Sequence, residues 1–302
     1  MITVSGLINI ETTLRVDNFP IEYTPVRYPL FGVGSTVSGV GYNLARALSV
    51  LGDSVTLFSL IGRDPAAELV RKALKDSQIG DNFILSYTEQ TAQSVILYDA
   101  EGRRQIHVDL KDIQEQVYPE DLFLQAADQA VLVALCNINF SRPLLTAARH
   151  VGKTIATDVH AISSLDDAYN QDFMASANIL FMSDELLPEP PEDFACRVAD
   201  RFGTSIIVIG LGARGALIYQ SRDGILEHIP AVNPRPVVST VGSGDALFSC
   251  FLHYYAKGLD PRAALRRAVV FAGYKIGAAG AAEGFLNETA LERQILLFSQ
   301  EK

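Results

Sequence analysis

Short apolar runs alternate with segments of helical periodicity along most of this chain. In a parallel sheet covered by helices on both faces, each strand is buried on both sides and forms a nearly continuous apolar run. Six runs fit this description: residues 2–8, 54–62, 130–135, 153–159, 178–182 and 205–212. Helical patterns follow Gly39 and extend from Asp64 to Lys75. The alternation predicts an α/β fold, a three-layer sandwich with a mostly parallel central sheet.

Two segments interrupt the alternation. Residues 12–31 and 94–110 are rich in strand-forming residues, and the second contains a hairpin signal around Ala100, Glu101 and Gly102. A chain of 302 residues with 48% hydrophobic content can bury one large core. We therefore expect a single domain over residues 1–302, into which these two segments are inserted.

Charge and composition exclude several classes of protein. The formal net charge is -10 at pH 7, whereas a nucleic-acid-binding surface needs clustered cations. The three cysteines lie far apart, which favours neither a disulfide framework nor a metal site. The first residues lack the pattern of a secretory signal, and no run of about eighteen apolar residues occurs. We expect a cytoplasmic protein that binds neither nucleic acid nor a membrane.

The segment STVGSGD, residues 239–245, carries most of the chemical signal. Gly242 and Gly244 allow backbone N–H groups to converge at the start of a helix, which creates a site for an anion. Asp245 places a carboxylate beside that site. Phosphoryl transfer requires this kind of positioning and charge stabilisation from a protein. A capped helix behind a Gly-rich turn is the alternative interpretation of this segment alone.

A second Gly-rich loop, SGVGYN at residues 38–43, also leads into a helix. Apolar residues mark one face of that helix at helical spacing: Val40, Leu44, Ala47, Leu48 and Leu51. Gly39, Gly41 and Asn43 lie at its start, where the backbone can approach a polar ligand closely.

Together the two loops resemble the signatures of the PfkB family of carbohydrate kinases. SGVGYN is similar to that family's GGxGxN pattern and STVGSGD to its DTxGAGD pattern, in the family's order, and the resemblance covers essentially the whole chain. It implies a ribokinase-like sandwich whose inserted segments form a small β-sheet lid, which often carries a homodimer interface. It also implies ATP-dependent phosphorylation of a hydroxymethyl or other hydroxyl group on a sugar or sugar-like substrate, with Mg²⁺ neutralising the phosphates.

The resemblance assigns roles to individual residues. Asp245 would be the catalytic base that accepts the proton of the attacking hydroxyl, and Gly242, Ser243 and Gly244 would form the anion hole for the transferred phosphoryl group. The candidate substrate-binding residues are Asn9, Glu11, Gly39, Gly41, Asn43 and Asn137. Glu11 stands where the family generally has Asp, which predicts a differently shaped substrate. A role in forming a turn would explain Asn137 equally well.

The segment GLGARG, residues 210–215, fits the G-x-G-x-x-G pattern of dinucleotide-binding proteins. That fingerprint must open a helix, whereas the β-rich residues 216–230 predict a strand, a turn at residues 222–224 and another strand. In the PfkB family the matching segment lies against the nucleotide. The candidate ATP contacts are Gly210, Gly212, Gly215 and Gly273.

Two further segments contain residues that align with cation-binding positions of the family. Asp184 and Glu185 sit where the family has an Asn-x-x-Glu element that helps organise magnesium, although Met182 or Ser183 stands in place of the Asn. Ser239 replaces an Asp that helps hold an activating monovalent cation in many relatives. Because a neutral hydroxyl is a weaker ligand, we predict weak or absent potassium activation.

Three alternatives stay open at this stage. A nucleoside or pseudouridine kinase of the same family is one, because the Asn-Ile element after Cys136 resembles some of those proteins. A non-catalytic relative that binds sugar or nucleotide is another, although both Gly-rich loops are retained. An NAD-dependent oxidoreductase would depend on residues 210–215 and would lack the helix that should follow them.

Overall fold

The computed structural model describes residues 1–101 and 103–299, which form two β-sheets and a set of helices. The strands are β1 Ile2–Ser5, β2 Asn9–Arg15, β3 Val33–Ser38, β4 Val55–Ile61, β5 Ile84–Ser86, β6 Gln93–Tyr98, β7 Arg104–Asp109, β8 Leu132–Leu135, β9 Thr154–Ala161, β10 Ile179–Ser183, β11 Ile206–Gly210, β12 Ala216–Gln220 and β13 Ile225–Ile229. The helices are α1 Val40–Leu51, α2 Pro65–Asp76, α3 Glu120–Ala127, α4 Arg142–His150, α5 Gln171–Ser176, α6 Pro191–Phe202, α7 Ser243–Ala256, α8 Pro261–Lys275 and α9 Glu288–Ser299. None of the helices in these two ranges has the length and apolar character that crossing a membrane requires.

The central sheet follows the strand pattern expected from the apolar runs. Within the described residues, nine strands form it in the order β13-β12-β11-β10-β9-β8-β1-β4-β5. Neighbours from β11 to β5 pair in parallel, and β12 and β13 complete one edge by antiparallel pairing. The mostly parallel sheet is therefore confirmed.

Helices cover both faces of this sheet. On β8, Leu132 and Ala134 belong to the hydrophobic cluster that contains α1, α7 and α8, whereas Val133 and Leu135 belong to the cluster that contains α3, α4 and α6. Successive side chains of a strand point to opposite faces, so both faces are buried. The three-layer sandwich is confirmed, and double burial explains why these strands are apolar throughout.

A small sheet lies outside the central one, with the strand order β3-β2-β6-β7. The predicted hairpin is confirmed by antiparallel pairing of β6 with β7, while Gly102 at its turn lies outside the described residues. The expectation that residues 12–31 are rich in strand is confirmed only as far as Arg15, where β2 ends, and is wrong beyond it, because the partner strand β3 begins only at Val33. Three prolines interrupt the intervening residues, and proline cannot donate to a strand ladder.

The two sheets join where the strand order reverses. The chain leaves β1 to form β4 on one side of it and later forms β8 on the other side. In open α/β sheets, ligands bind in the crevice outside the carboxyl ends of the strands at such a point. The chain passes from Ser5, the end of β1, to Asn9, the start of β2, and so leads from this point of the central sheet directly into the small sheet.

Candidate active site

The two Gly-rich loops meet at Asp245. The N-cap of α7 is Gly242, whose backbone is left-handed with φ 76°. Because glycine has no side chain, no capping side chain at this position covers the free N–H groups of the helix start. Asp245 lies in the first turn, and its Oδ2 accepts a hydrogen bond of 2.7 Å from Nδ2 of Asn43 in α1. Asp245 is thus not the cap of its own helix, because its carboxylate contacts another one.

The surroundings of Asp245 raise the pKa of its carboxyl group above the ordinary value. Burial is the largest cause, and the nearby carboxylate of Asp158 acts in the same direction. The hydrogen bond from Asn43 and the electrostatic effects of His160 and Lys275 oppose the rise. A carboxylate with a raised pKa is a stronger base than a fully solvated one. The position therefore suits proton transfer.

Close polar contacts lead from Asp245 to a second carboxylate on the small sheet. Ser38, the last residue of β3, donates from Oγ to Glu11 Oε2 at 2.9 Å, and its Oγ lies 3.4 Å from Asn43 Oδ1. A hydroxyl has one proton, and the shorter bond to the carboxylate is the stronger use of it. Burial raises the pKa of Glu11, the bond from Ser38 lowers it, and the charge of Asp245 raises it again.

Two buried oxygens on β2 have no hydrogen-bond partner among the described residues. They are Asn9 Oδ1 and Glu11 Oε1, on residues that are 4% and 5% exposed. Residues two apart on a strand share one face, so both side chains project to the same side. Asn9 Nδ2 donates to Ser94 Oγ at 2.9 Å, which fixes its amide. An unpaired buried acceptor costs about 1–3 kcal/mol, so these oxygens suit a ligand that donates hydrogen bonds.

The glycines of the two loops have different surroundings. A Cβ at Gly39 would lie 2.5 Å from Leu7 O, and one at Gly41 would lie 2.5 Å from the carbonyl carbon of Gly6. The start of α1 therefore packs directly on the chain that leaves β1, and this packing alone requires glycine. A Cβ at Gly244 would meet no described atom within 4 Å. Open space therefore lies beside the first turn of α7.

Lys275 is a residue of this site that sequence reasoning missed. It ends α8, is 0% exposed, and donates from Nζ to the carbonyl oxygen of Val241. Burial lowers its pKa to about 8, although the charges of Asp245, Glu11 and Glu283 favour the ammonium form. The sequence held one signal for its burial. The positions three and four residues from Lys275 carry no acidic residue with which an exposed lysine could form an ion pair. Those positions are Phe271, Ala272, Ala278 and Ala279.

The G-x-G-x-x-G segment does not open an α-helix. Gly212–Arg214 forms one 3₁₀ turn, and β12 follows at Ala216 and pairs antiparallel with β13. The predicted strand–turn–strand arrangement is confirmed, and this context contradicts the dinucleotide-binding fingerprint.

Packing accounts for two of the four glycines predicted to contact the nucleotide. A Cβ at Gly215 would overlap the backbone of residues 229–231, and one at Gly273 would overlap the carbonyl oxygen of Val232. Gly212 has φ 57° and open space around it, and Gly210 ends β11. Nucleotide contact at all four positions stays a prediction.

Asn137 follows β8 and is engaged with a neighbouring loop. Its Nδ2 donates to Asn170 Oδ1 at 3.0 Å, and its carbonyl oxygen accepts from the Tyr169 hydroxyl at 3.0 Å. These bonds orient the residue. Its contact with a substrate stays a prediction.

The two acidic residues after β10 each face an arginine. Asp184 pairs with Arg214, and Glu185 Oε1 lies 3.5 Å from Nη2 of Arg104. Arg104 also donates to Thr240 Oγ1 at 2.7 Å and so joins the small sheet to the loop before α7. Across residues 1–101 and 103–299, no group of three or more His, Cys, Asp or Glu is placed to hold a metal ion. Contact of Asp184 or Glu185 with a magnesium ion stays a prediction.

The chain resembles known kinases over nearly its full length. A family model described as pfkB family carbohydrate kinase matches residues 1–289. Deoxyribokinase of Salmonella typhi is 26% identical over 295 residues, which cover 92% of this chain and 93% of the relative. Acarbose 7(IV)-phosphotransferase of an Actinoplanes species is 25% identical over 297 residues, which cover 97% of each protein.

Solved structures share the fold at lower identity. A putative ribokinase from Agrobacterium tumefaciens has a TM-score of 0.88 at 20% identity, over 100% of this chain and 99% of its own. A Burkholderia thailandensis nucleoside kinase in complex with inosine has a TM-score of 0.80 at 17% identity, over 98% of each chain. An Arabidopsis thaliana ribokinase complexed with ribose and ATP has a TM-score of 0.79 at 18% identity, over 97% and 98%. These structures establish the ribokinase-like fold.

Proposed function

We propose that this chain transfers the terminal phosphoryl group of ATP to a hydroxymethyl group of a small sugar or sugar-like substrate. The chain belongs to the pfkB family of carbohydrate kinases and is a sugar or nucleoside phosphotransferase. The observation that carries the proposal is the hydrogen bond between Asn43 and Asp245. It joins the two family signatures around one carboxylate. Relatives named deoxyribokinase and acarbose 7(IV)-phosphotransferase support a sugar as the acceptor.

Asp245 is the catalytic base in this proposal. Its carboxylate accepts the proton of the substrate hydroxyl while the hydroxyl oxygen attacks the terminal phosphorus of ATP and the bond to the ADP oxygen breaks. The backbone amides of Gly242, Ser243 and Gly244 stabilise the charge on the transferred group, because a helix start favours an anion. The open space beside Gly244 supports this assignment.

Hydroxyl groups of the substrate donate hydrogen bonds to the two oxygens on β2 that have no partner among the described residues. Asn9 Oδ1 and Glu11 Oε1 are buried acceptors, and a polyol supplies donors to both. Glu11 and Ser38 both depart from the family pattern and are hydrogen-bonded to each other, so we propose that the pair shapes this part of the site differently from a ribose site. Gly39, Gly41, Asn43 and Asn137 complete the proposed substrate contacts.

ATP is proposed to lie along the segment after β11. Gly210, Gly212, Gly215 and Gly273 are its proposed contacts, and the open space around Gly212 supports one of them. The structural likeness to a ribokinase complexed with ATP supports the choice of nucleotide.

Mg²⁺ would enter with ATP as the metal–nucleotide complex. Magnesium usually keeps several waters and is held by substrate phosphates with one or two carboxylates, so a dedicated protein cage is not required. Asp184 and Glu185 remain the proposed carboxylates for it, and each already pairs with an arginine. The ion would neutralise phosphate charge.

A homodimer formed through the small sheet also belongs to this proposal. Apolar side chains are exposed on the chain between β2 and β3, notably Tyr23, Tyr28 and Phe31 at 91%, 91% and 98%. Large exposed apolar groups favour an interface. Light scattering of the purified protein would measure its mass. A single domain over residues 1–302 and a cytoplasmic location stay predictions.

An assay of ADP release with ATP and a panel of sugars and nucleosides tests the main proposal. We expect one sugar to raise ADP release well above the rate without substrate and to yield a monophosphorylated product. A response to nucleosides alone would favour a nucleoside kinase, which the likeness to the inosine-bound nucleoside kinase supports. If sugar and ATP raised the thermal stability without any ADP release, the chain would be a binding protein and the catalytic assignment would fail.

A further inference from the structure

The buried ammonium of Lys275 lies within the contact between two backbone segments. Val238 N and Ser239 N donate to Ile276 O at 2.8 Å and 3.0 Å. A Cβ on Gly242 would lie 2.5 Å from Ala281 O, so the turn before α7 rests on the chain after α8. Lys275 Nζ bonds a carbonyl oxygen of this same turn.

The charges that act on Lys275 come from several different parts of the fold. Asp245 of α7, Glu11 of β2 and Glu283 of the chain after α8 are the carboxylates whose charges act on its ammonium group. Arg235 is the opposing positive charge, and it is held by a 2.6 Å bond from its Nε to Tyr274 O. The charges of these three carboxylates offset part of the cost of burying the ammonium group.

A potassium ion does not fit the turn as well as this ammonium does. Ser239 has no carboxylate, and its Oγ accepts a bond of 3.3 Å from Val241 N. The carbonyl oxygen of Val241, which could otherwise serve as a cation ligand, already accepts from Lys275. Hard monovalent and divalent cations are held by several oxygens at once, and two of the oxygens available here are already engaged.

We propose that the Lys275 ammonium is a resident cation of the turn formed by residues 239–242 and makes the reaction independent of added monovalent cations. The inference rests on the proposed kinase function. Lys275 is a positioning residue, because it acts through the Val241 carbonyl oxygen on the turn that precedes the proposed anion hole. The helix start of the family signature, residues 242–245, is thereby kept, while the Lys275 ammonium takes the place of an added monovalent cation.

The test compares the wild type, Lys275→Met and Lys257→Met in choline, sodium, potassium and ammonium chloride at equal ionic strength. Lys257 is an exposed lysine paired with Glu288 and is the matched control. We expect wild-type and control rates to agree within about twofold in all four salts. Lys275→Met should lose about tenfold or more in kcat in choline chloride and recover part of it in potassium or ammonium chloride.

Thermal unfolding in the same salts gives a readout that does not depend on turnover. The Tm of the wild type should not distinguish potassium from sodium, whereas potassium should raise the Tm of Lys275→Met, because an ion that binds only the folded state stabilises it. If the wild type phosphorylated none of the sugars and nucleosides tested, the kinase proposal would fail while these melting curves would still decide the role of Lys275.

Each contrary result overturns the inference. A wild-type rate or Tm raised specifically by potassium would show that a mobile cation is used, and this measurement decides even if Lys275→Met does not fold. A folded Lys275→Met enzyme that keeps the wild-type rate in choline, or that no cation restores, would exclude the ammonium as a replaceable cation.

The pH profile supplies a further readout. Deprotonation of Lys275 removes the cation, so wild-type kcat should fall as pH rises through about 8. The alkaline decline should be absent from Lys275→Met in potassium chloride.

Discussion

The two glycine-rich helix starts look alike in sequence but differ in what surrounds them. At the start of α1, the positions that a side chain would occupy at Gly39 and Gly41 are filled by backbone of residues 6–8. At the start of α7, the same position at Gly244 is open. The α7 loop also packs closely at Gly242, where a Cβ would lie 2.5 Å from Ala281 O, but unlike the α1 loop it leaves room at one glycine beside its helix start. A glycine pattern alone does not distinguish these two requirements.

The largest expected effect comes from removing the carboxylate at the open helix start. Asp245→Asn keeps the shape of the side chain and an oxygen for the bond from Asn43, so we expect normal folding. The loss of a positioned base should lower kcat by roughly 10²–10⁴-fold. Steady-state kinetics and a melting curve measure both properties.

Asp260→Asn is the matched control for that substitution. Asp260 caps the neighbouring helix α8 by accepting bonds from Arg262 N and Ala263 N, and asparagine caps about as well as aspartate. Its activity should stay at the wild-type level. An Asp245→Asn enzyme as active as this control would remove Asp245 from the mechanism.

Substituting alanine in each loop tests the comparison directly. Gly41→Ala should destabilise the fold by roughly 1–3 kcal/mol, because its Cβ would press on backbone. In Gly244→Ala the new Cβ would meet no described atom within 4 Å outside its own turn, and a helical glycine is replaced, so stability should stay equal or rise by up to about 1 kcal/mol. Its kcat should nevertheless fall about tenfold or more, because the methyl group enters the proposed phosphoryl site.

Denaturant titrations and kinetics of both alanine variants measure these outcomes. The opposite pattern, with Gly244→Ala unstable but Gly41→Ala merely inactive, would reverse the assignment of the two loops.

Asn43 forms the hydrogen bond between the two loops, and its substitution should shift the pH dependence of kcat/KM. The amide of Asn43 lowers the pKa of Asp245, which burial raises. In Asn43→Leu this stabilisation of the carboxylate is lost, so its pKa rises further and the base is protonated at a higher pH. The acid limb of kcat/KM should therefore move to higher pH relative to the wild type. An acid limb at an unchanged or lower pH would mean that Asp245 is not the titrating base.

The smallest expected effect concerns the substrate. Ser38→Gly removes the bond to Glu11 and restores the glycine of the family pattern. The loss of one such hydrogen bond is worth about 0.5–1.5 kcal/mol, so KM for the sugar should rise roughly 2–10-fold with kcat little changed. Ser35→Gly, on an exposed position of the same strand, is the control and should leave KM unchanged. Equal KM values for both variants would remove Ser38 from the substrate site.

Sequence patterns predicted the central sheet well and the small sheet only in part. Apolar runs identify doubly buried strands because burial on both faces leaves little choice of residue. The strand β3 was not predicted because Val33–Ser38 is mostly exposed and contains glycine and serine, which give no apolar signal. Pairing across the prolines of residues 16–31 depends on tertiary contacts.

Sequence reasoning identified the site residues that lie within the two glycine-rich motifs and missed a site residue that lies outside them. Asp245 and Asn43 stood out because glycines precede them in helix starts. Lys275 belongs to no recognisable motif, and its role depends on a hydrogen bond to a carbonyl oxygen 34 positions earlier in the chain.

By itself the sequence determined the layered α/β architecture and the two helix starts that bring glycine and polar groups together, because periodicity and glycine act locally. Only the tertiary structure decided that Asn43 bonds Asp245 across 202 positions and that one oxygen each of Asn9 and Glu11 lies buried without a partner among the described residues. It also decided which glycines are enclosed. The physical reason is that burial and hydrogen bonding depend on which distant segments meet, and that follows from how the sheets and helices pack.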